Sequence, residues 1–445
     1  LVVEVATESE VAVTAWVQAK GETCFRLSLG ARFPDGAWTW FEDMHYSERL
    51  EPGRRCALDG PSPYGLTQRR AYYPFGVLAS DQAVLVAETD GREPRHLQIE
   101  AQADDRTLWI HYDLAATPGT RHFPGLAAVR ARFCAEPRTE VPPFRAALQS
   151  WYERDPDWWT ARVPQHGLWL PFTDIASISN PADFGFMYFE KVGPHGSDVD
   201  AARAHGVQTL VYTEPWLYWL PLANTSDWNR AATLRRMETL ARTAVGKDRE
   251  FASAGLLGAT RDAARQPRIQ YLATPWSTGA RMEVITDPEL PVTSNAPVNR
   301  AMAEWRFIKE ALEDPRVDGI YLDSMSAMET LDYNPSALAV ADYPCTFVLA
   351  ELKPGLATPI QAVEFTAALA GYLRAHDKYL MGNFPCWRFP FFMPYLDIPG
   401  EETTWYTGKQ YTPLSERERN YRRAMSGAKP FGFLQATHFS DLSPA

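Results

Sequence analysis

Cysteine is scarce and scattered: Cys24, Cys56, Cys134, Cys345 and Cys386 are the five in 445 residues, and no two form a CxxC pair. That pattern argues against a disulfide framework or a Cys-based zinc site. The nine histidines include no HExxH spacing, so no metal is expected. A Walker loop and a dinucleotide fingerprint are also missing, and no cofactor is expected. Without GxSxG there is no nucleophile elbow. No Lys/Arg run occurs, and the net charge is −11. Phosphate-tracking surfaces need clustered positive charge, so nucleic acid is not expected as a partner. No stretch reaches the roughly 18 consecutive apolar residues of a membrane span, so no membrane partner is expected either. No internal repeat points to a scaffold.

What the chain has in plenty is aromatic surface. Its 15 Trp, 19 Tyr and 22 Phe bring aromatics to 13%, which serves either large cores or flat platforms that stack on sugar rings. With 45% hydrophobic and 22% charged residues the composition is globular. The length suffices for two domains, or for one of about 250–300 residues with a companion. The chain opens on Leu1 rather than Met with nothing that reads as a signal peptide, as a processed or trimmed form would. A secreted or periplasmic location is slightly favoured over a cytoplasmic one.

Two regions follow different rules. Residues 1–140 carry short alternating runs such as "EVAVTAWVQ", "CFRLSLGARF", "TLWIHYDL" and "AAVRARFCAE", separated by turns such as "PDG" and "TDG". Strands at that spacing without helices predict an antiparallel β-sandwich. Residues 141–163 read as a linker helix, with Phe144, Leu148, Trp151 and Tyr152 at helical spacing. Residues 164–445 alternate strand and helix, which predicts a parallel sheet. Strands are expected at "HGLWLPFTDI", "QTLVYTEPW", "RIQYLATPW", "DGIYLDSM", "DKYLMGNF", "MPYLDIPG" and "KPFGFLQATHF". One helix is expected to bury Met302, Trp305, Ile308 and Leu312. Another opens on Thr358 as N-cap and buries Phe365, Leu369, Tyr372 and Leu373. The fold class is thus α/β, a sandwich followed by a (β/α)8 barrel whose eighth strand is not evident before the chain ends.

A barrel places its chemistry at the C-terminal ends of its strands. In order, those ends carry Asp174, Glu214 with Trp216, Trp276, Asp323, Asn383, Asp397 with Glu401 and Glu402, and His438. Paired carboxylates flanking a bond are what glycoside hydrolysis requires. Asp323, closing the apolar run "GIYL", fits the nucleophile, with Ser324 as an orienting donor. The plain alternative is a loop-capping Asp. Glu402 is the favoured proton donor, because Glu401 should point the other way along an extended segment; a solvated acidic loop is the bland alternative. Asp397 would orient substrate hydroxyls. Glu214 is the other serious candidate, for hydroxyl binding or as the acid itself, against a buried Glu paired with Arg. Trp169, Trp216, Trp276 and Trp405 would stack on sugar faces.

A sandwich, a linker helix and a barrel with "DGIYLDS" at its fourth strand resemble the retaining α-glycoside hydrolases of the α-galactosidase and α-glucosidase group, and of the endo-α-N-acetylgalactosaminidase group. The resemblance implies a nucleophile at Asp323 and, in the α-galactosidase type, an acid at the sixth strand: Asp397, Glu401 or Glu402. The endo-acting type takes its acid near the fifth strand, where this chain has Asn383 instead, and no "DMNE"-like motif of the α-glucosidases is present. The expected activity is hydrolysis of an oligo- or polysaccharide, retaining and α-specific. The alternatives are a transglycosylase or inverting hydrolase on the same barrel, and a carbohydrate-binding protein without catalysis.

Overall fold

The computed structural model describes residues 2–7, 9–61, 69–163, 166–275, 277–325, 330–383, 389–403, 406–407 and 410–435. The N-terminal region folds into two antiparallel sheets. In the larger, the strands run in the order Val2–Thr7, Glu10–Gln18, Leu126–Pro137, Ala83–Thr89, Phe75–Ala79, Thr39–Phe41 and Ser47–Arg49. The smaller follows the order Thr23–Arg32, Thr107–Ala116, Leu97–Gln102 and Arg55–Cys56. Alternation in "TLWIHYDL" puts Leu108, Ile110, Tyr112 and Leu114 on one buried face, in one core with Leu78, Val129 and Ala131 of the larger sheet. Burying each such side chain contributes about 1.5–3 kcal/mol.

Helix α1, Pro143–Arg154, joins this sandwich to the second region. Proline in its first turn suits the helix start. Its face of Phe144, Leu148 and Trp151 packs in one cluster with Tyr73 and Phe75 of the sandwich and with Tyr421 and Met425 further along the chain.

Seven parallel strands close a barrel: β1 Leu168–Pro171, β2 Phe186–Lys191, β3 Gln208–Thr213, β4 Gly319–Leu322, β5 Tyr379–Asn383, β6 Ile398–Thr403 and β7 Gly432–Gln435. Among the described residues β7 bridges β1 through one register pair, Leu168 with Phe433. The other junctions carry three or four. The expected eightfold barrel is corrected to seven strands among the described residues, since the first and last pair directly.

One expected strand changes place and one strand is new. Strand β2, from "FMYFEK", was not anticipated. The run "RIQYLATPW" yields Gln270–Ala273, which joins an antiparallel sheet with Leu217–Pro221 and Thr278–Glu283 in the segment inserted between β3 and β4. Burial separates the cases: all four residues of β4 are buried, whereas Gln270 and Ala273 are exposed. Strand β4 keeps the expected fourth place because one omission and one surplus cancel.

The insertion also holds α2 Arg230–Thr243, α3 Gly246–Gly258 and α4 Arg300–Leu312. The face α4 buries is Ala301, Glu304, Ile308 and Ala311, while Met302 is exposed. Alanines allow close approach to the barrel, and Arg300 pairs with Glu304 at 2.8 Å, so a polar pair replaces the larger apolar residues expected there. Helix α5, Thr358–Ala375, buries Phe365, Leu369 and Leu373, but Tyr372 is half-exposed and Ala357 holds the N-cap position. Helix α6, Glu416–Ser426, opens on a capping box at Ser415 and stops at Gly427, whose φ of 61° favours glycine.

Candidate active site

Side chains two apart on a strand share a face. The barrel interior is filled by an aromatic and aliphatic layer of Trp169, Tyr188, Leu210, Tyr321, Met381 and Ile398. Stepping by twos toward the C-terminal ends leads from Tyr188 to Glu190, from Leu210 through Tyr212 to Glu214, from Tyr321 to Asp323, from Met381 to Asn383, and from Ile398 through Gly400 to Glu402. Four carboxyl groups and an amide therefore gather over one apolar floor.

Asn383 is the centre of their geometry. Its Nδ2 donates to Asp323 Oδ1 at 2.7 Å and to Glu402 Oε1 at 2.8 Å. Asp323 also accepts from the hydroxyls of Tyr321 at 3.2 Å and Tyr212 at 3.1 Å. Ser324, held at a φ of 56°, turns its Oγ toward two acids, Glu214 Oε1 at 2.6 Å and Asp323 Oδ2 at 3.3 Å. A hydroxyl has one proton to donate, and the shorter contact marks Glu214 as its main acceptor. Trp219 Nε1 engages the other Glu214 oxygen at 2.9 Å.

Electrostatics sort the acids. Burial pushes the Glu402 carboxyl above its usual range; the Asn383 bond opposes this and the Asp323 charge adds to it. Glu214 is raised chiefly by burial. Glu190, 4% exposed, accepts from Trp169 Nε1 at 2.9 Å. Burial first, then the Asp323 charge, pushes it up to about 9, so it is a neutral acid at pH 7. No sequence signal had marked Glu190; the available one was its place two residues after Tyr188 at a strand end.

Several expected site residues lie elsewhere. Asp397 precedes β6 at the opposite end of the barrel, where it accepts from Arg162 Nη1 at 2.9 Å and from the Leu380 amide at 3.0 Å. Glu401 faces outward, clamped by Arg422 of α6 through two bonds. Trp216 is fully buried against Phe365; its Nε1 donates to the Asp323 carbonyl at 2.8 Å, so it holds the backbone instead of stacking on a ligand. Asp174 is exposed and caps the turn that follows it, accepting from the Ala176 amide at 2.9 Å. Trp169 lies in the barrel floor. Trp276, Trp405 and His438 fall outside the described residues. Among the described residues no group of three or more His, Cys, Asp or Glu side chains is arranged to hold a metal ion.

No family model and no curated protein sequence matches the chain. Among solved structures it is similar to an α-N-acetylgalactosaminidase from Bifidobacterium bifidum in complex with GalNAc, at 11% identity and a TM-score of 0.47 over 88% of this chain and 64% of that one. It is also similar to an α-galactosidase from Geobacillus stearothermophilus, at 9% identity and a TM-score of 0.48 over 97% and 63%. A third is an α-galactosidase from Thermus thermophilus, at 12% identity and a TM-score of 0.45 over 97% and 75%. The chain thus spans less than two thirds of the length of the first two.

Proposed function

We propose that the protein is a glycoside hydrolase that cleaves an α-linked oligo- or polysaccharide with retention of configuration. The observation that carries this reading is the shared Asn383 donor. Its Nδ2 lies 2.7 Å from one Asp323 oxygen and 2.8 Å from one Glu402 oxygen, so those two oxygens are no more than about 5.5 Å apart, a closeness that supports a retaining pair. The α-preference comes from the sequence resemblance alone.

Asp323 is the nucleophile. Tyr212, Tyr321 and Asn383 orient its carboxylate, and Trp216 fixes its backbone. Its oxygen forms a bond to the anomeric carbon as the glycosidic bond breaks, and Glu402 gives its proton to the leaving oxygen. Glu402, now ionised, takes a proton from water, whose oxygen displaces Asp323 from the sugar. Raised by burial, Glu402 suits a group that must be protonated at the outset. Glu214 suits the role less, since both its oxygens are engaged. Glu190, being neutral, adds no third charge beside the pair.

The test is a panel of aryl α- and β-glycosides given to the intact chain, Asp323→Ala and Glu402→Ala. Turnover of an α-glycoside, its loss in Asp323→Ala, and azide rescue of Glu402→Ala with a retained glycosyl azide are expected. An inverted first product would sink the retaining mechanism.

A further inference from the structure

Phe172 directly follows β1 and breaks the rule that orders its neighbours. Along β1, Trp169 points into the barrel floor. Leu170 points out, into one cluster with Phe189 of β2 and Ala202 of the helix Ser197–Ala204. Two residues on, alternation would turn Phe172 outward as well. It does not go there. Its ring meets Tyr212 edge-on, with ring centres 5.6 Å apart, and Tyr212 is the inward residue whose hydroxyl donates to Asp323. A left-handed backbone swings it inward: φ at Phe172 is 48°, while its amide still donates to the Glu190 carbonyl at 3.0 Å.

That conformation is unfavourable for such a side chain. The Cβ crowds the backbone carbonyl, so glycine enters the region freely and a bulky residue there is an outlier. Among the described residues Phe172 is the one aromatic held in it. The core gains little in return, since the residue is 56% exposed. Strain that packing does not offset gathers where a site needs it. Ser324, which bonds Glu214 and Asp323, shares the conformation at the end of β4.

Strand order sets what the ring faces. Between β1 and β4 lie β2 and β3, and between β1 and β5 lie β6 and β7. Phe172 therefore stands across the mouth from Asp323 and Asn383. Beside it, Val192 continues the inward row of Tyr188 and Glu190 past the end of β2 and is 68% exposed. An apolar rim thus looks across the mouth at a polar one. A pyranose has sides to match, a C–H face for an aromatic plane and a hydroxyl edge for carboxyl groups.

We propose that Phe172 is the platform for the sugar ring seated over Asp323, which it positions by stacking on the C–H face of that ring. The inference rests on the hydrolytic reading only in taking the ligand to be a glycan.

The experiment is a ligand-observed NMR titration of full-length Asp323→Asn, so that nothing is turned over. The probes are methyl α-galactoside, methyl α-glucoside and methyl N-acetyl-α-galactosaminide, whose methyl aglycones bring no second aromatic ring. Ring C–H protons of at least one bound probe should shift upfield, as protons over an aromatic face do. Adding Phe172→Ala or Phe172→Gly should abolish that shift and weaken binding roughly tenfold. Phe172→Tyr should keep both. Folding has its own readout: with φ at 48°, the glycine variant should melt above the alanine variant, the reverse of their usual order. Equal loss of binding in the two is then not a loss of fold. No binding of any probe, a bound probe without the shift, or binding that survives both deletions would overturn the proposal. Aryl-glycoside turnover by the wild-type chain is scored separately. Phe172-dependent binding without turnover keeps the platform and removes the hydrolase; turnover with kcat/KM unchanged in Phe172→Ala does the reverse.

Discussion

Glu401 and Glu402 are neighbours in β6 and face opposite sides of the barrel wall. Glu402 reaches Asn383 inside, and Glu401 is held by Arg422 outside. One residue of register decides which serves chemistry and which serves the fold. Replacing Glu401 by Ala removes the two bonds it makes to the buried Arg422 guanidinium and should cost about 3–5 kcal/mol in denaturant unfolding, with the kinetics of the folded fraction unchanged. Glu402→Gln should leave stability alone and lower kcat by about 10²–10⁴-fold on substrates with poor leaving groups.

Asn383→Ala removes the amide that bridges Asp323 and Glu402. A drop of about 10² in kcat is expected from lost positioning. Because the Asn383 bond holds the Glu402 carboxyl down, its removal lets that group rise further. The alkaline limb of the kcat profile should therefore move to higher pH. An unmoved limb would show that Glu402 is not the acid.

Glu190 makes stability depend on pH. Its carboxyl rises from 4.5 to about 9 on folding, so between those values the folded chain holds a proton that the unfolded chain has lost. Stability contributed by this group therefore falls as pH rises across that window, by at most about 1.4 kcal/mol per pH unit. Glu190→Gln keeps an acceptor for Trp169 and carries no titrating group. Melting temperatures from pH 5 to pH 9 should show the variant gaining steadily on the parent, and parallel curves would refute the assignment.

Trp216→Phe deletes the donor to the Asp323 carbonyl while keeping most of the ring. The unpaired carbonyl should cost about 1–3 kcal/mol of stability. If the indole positions the nucleophile, kcat falls while KM stays within about twofold; a change confined to KM would mean that it meets substrate directly.

The period-two rule carried most of what the sequence revealed. It placed the sandwich strands and chose Glu402 over Glu401, while the unbroken apolar run "GIYL" set Asp323 at the end of β4. It failed where the end of a strand was misjudged. In "MPYLDIPG" the strand begins at Ile398, after the acid, so Asp397 sits at the floor of the barrel instead of its mouth. A carboxylate beside an apolar run looks the same from either end, and only its partners, here Arg162 and the Leu380 amide, tell them apart. Glu190 went unread although its signal matches that of Asp323: the apolar run "FMYF" ends on an acid just as "GIYL" does. The buried face of α4 was misread for a different reason: Ala301 and Ala311 contribute little hydrophobic signal, and its most buried polar pair is ionic.

Among the described residues one pair, Leu168 with Phe433, fastens β7 to β1 and gives the ring one thin rivet. A hoop held more strongly elsewhere should yield at its rivet, so strain from a bulky guest in the mouth should be released between β1 and β7, not across β4 and β5 where the nucleophile and Asn383 stand. The β4–β5 junction should stay stiffer than the β7–β1 seam, and amide exchange at Phe433 should outpace that at Ile320.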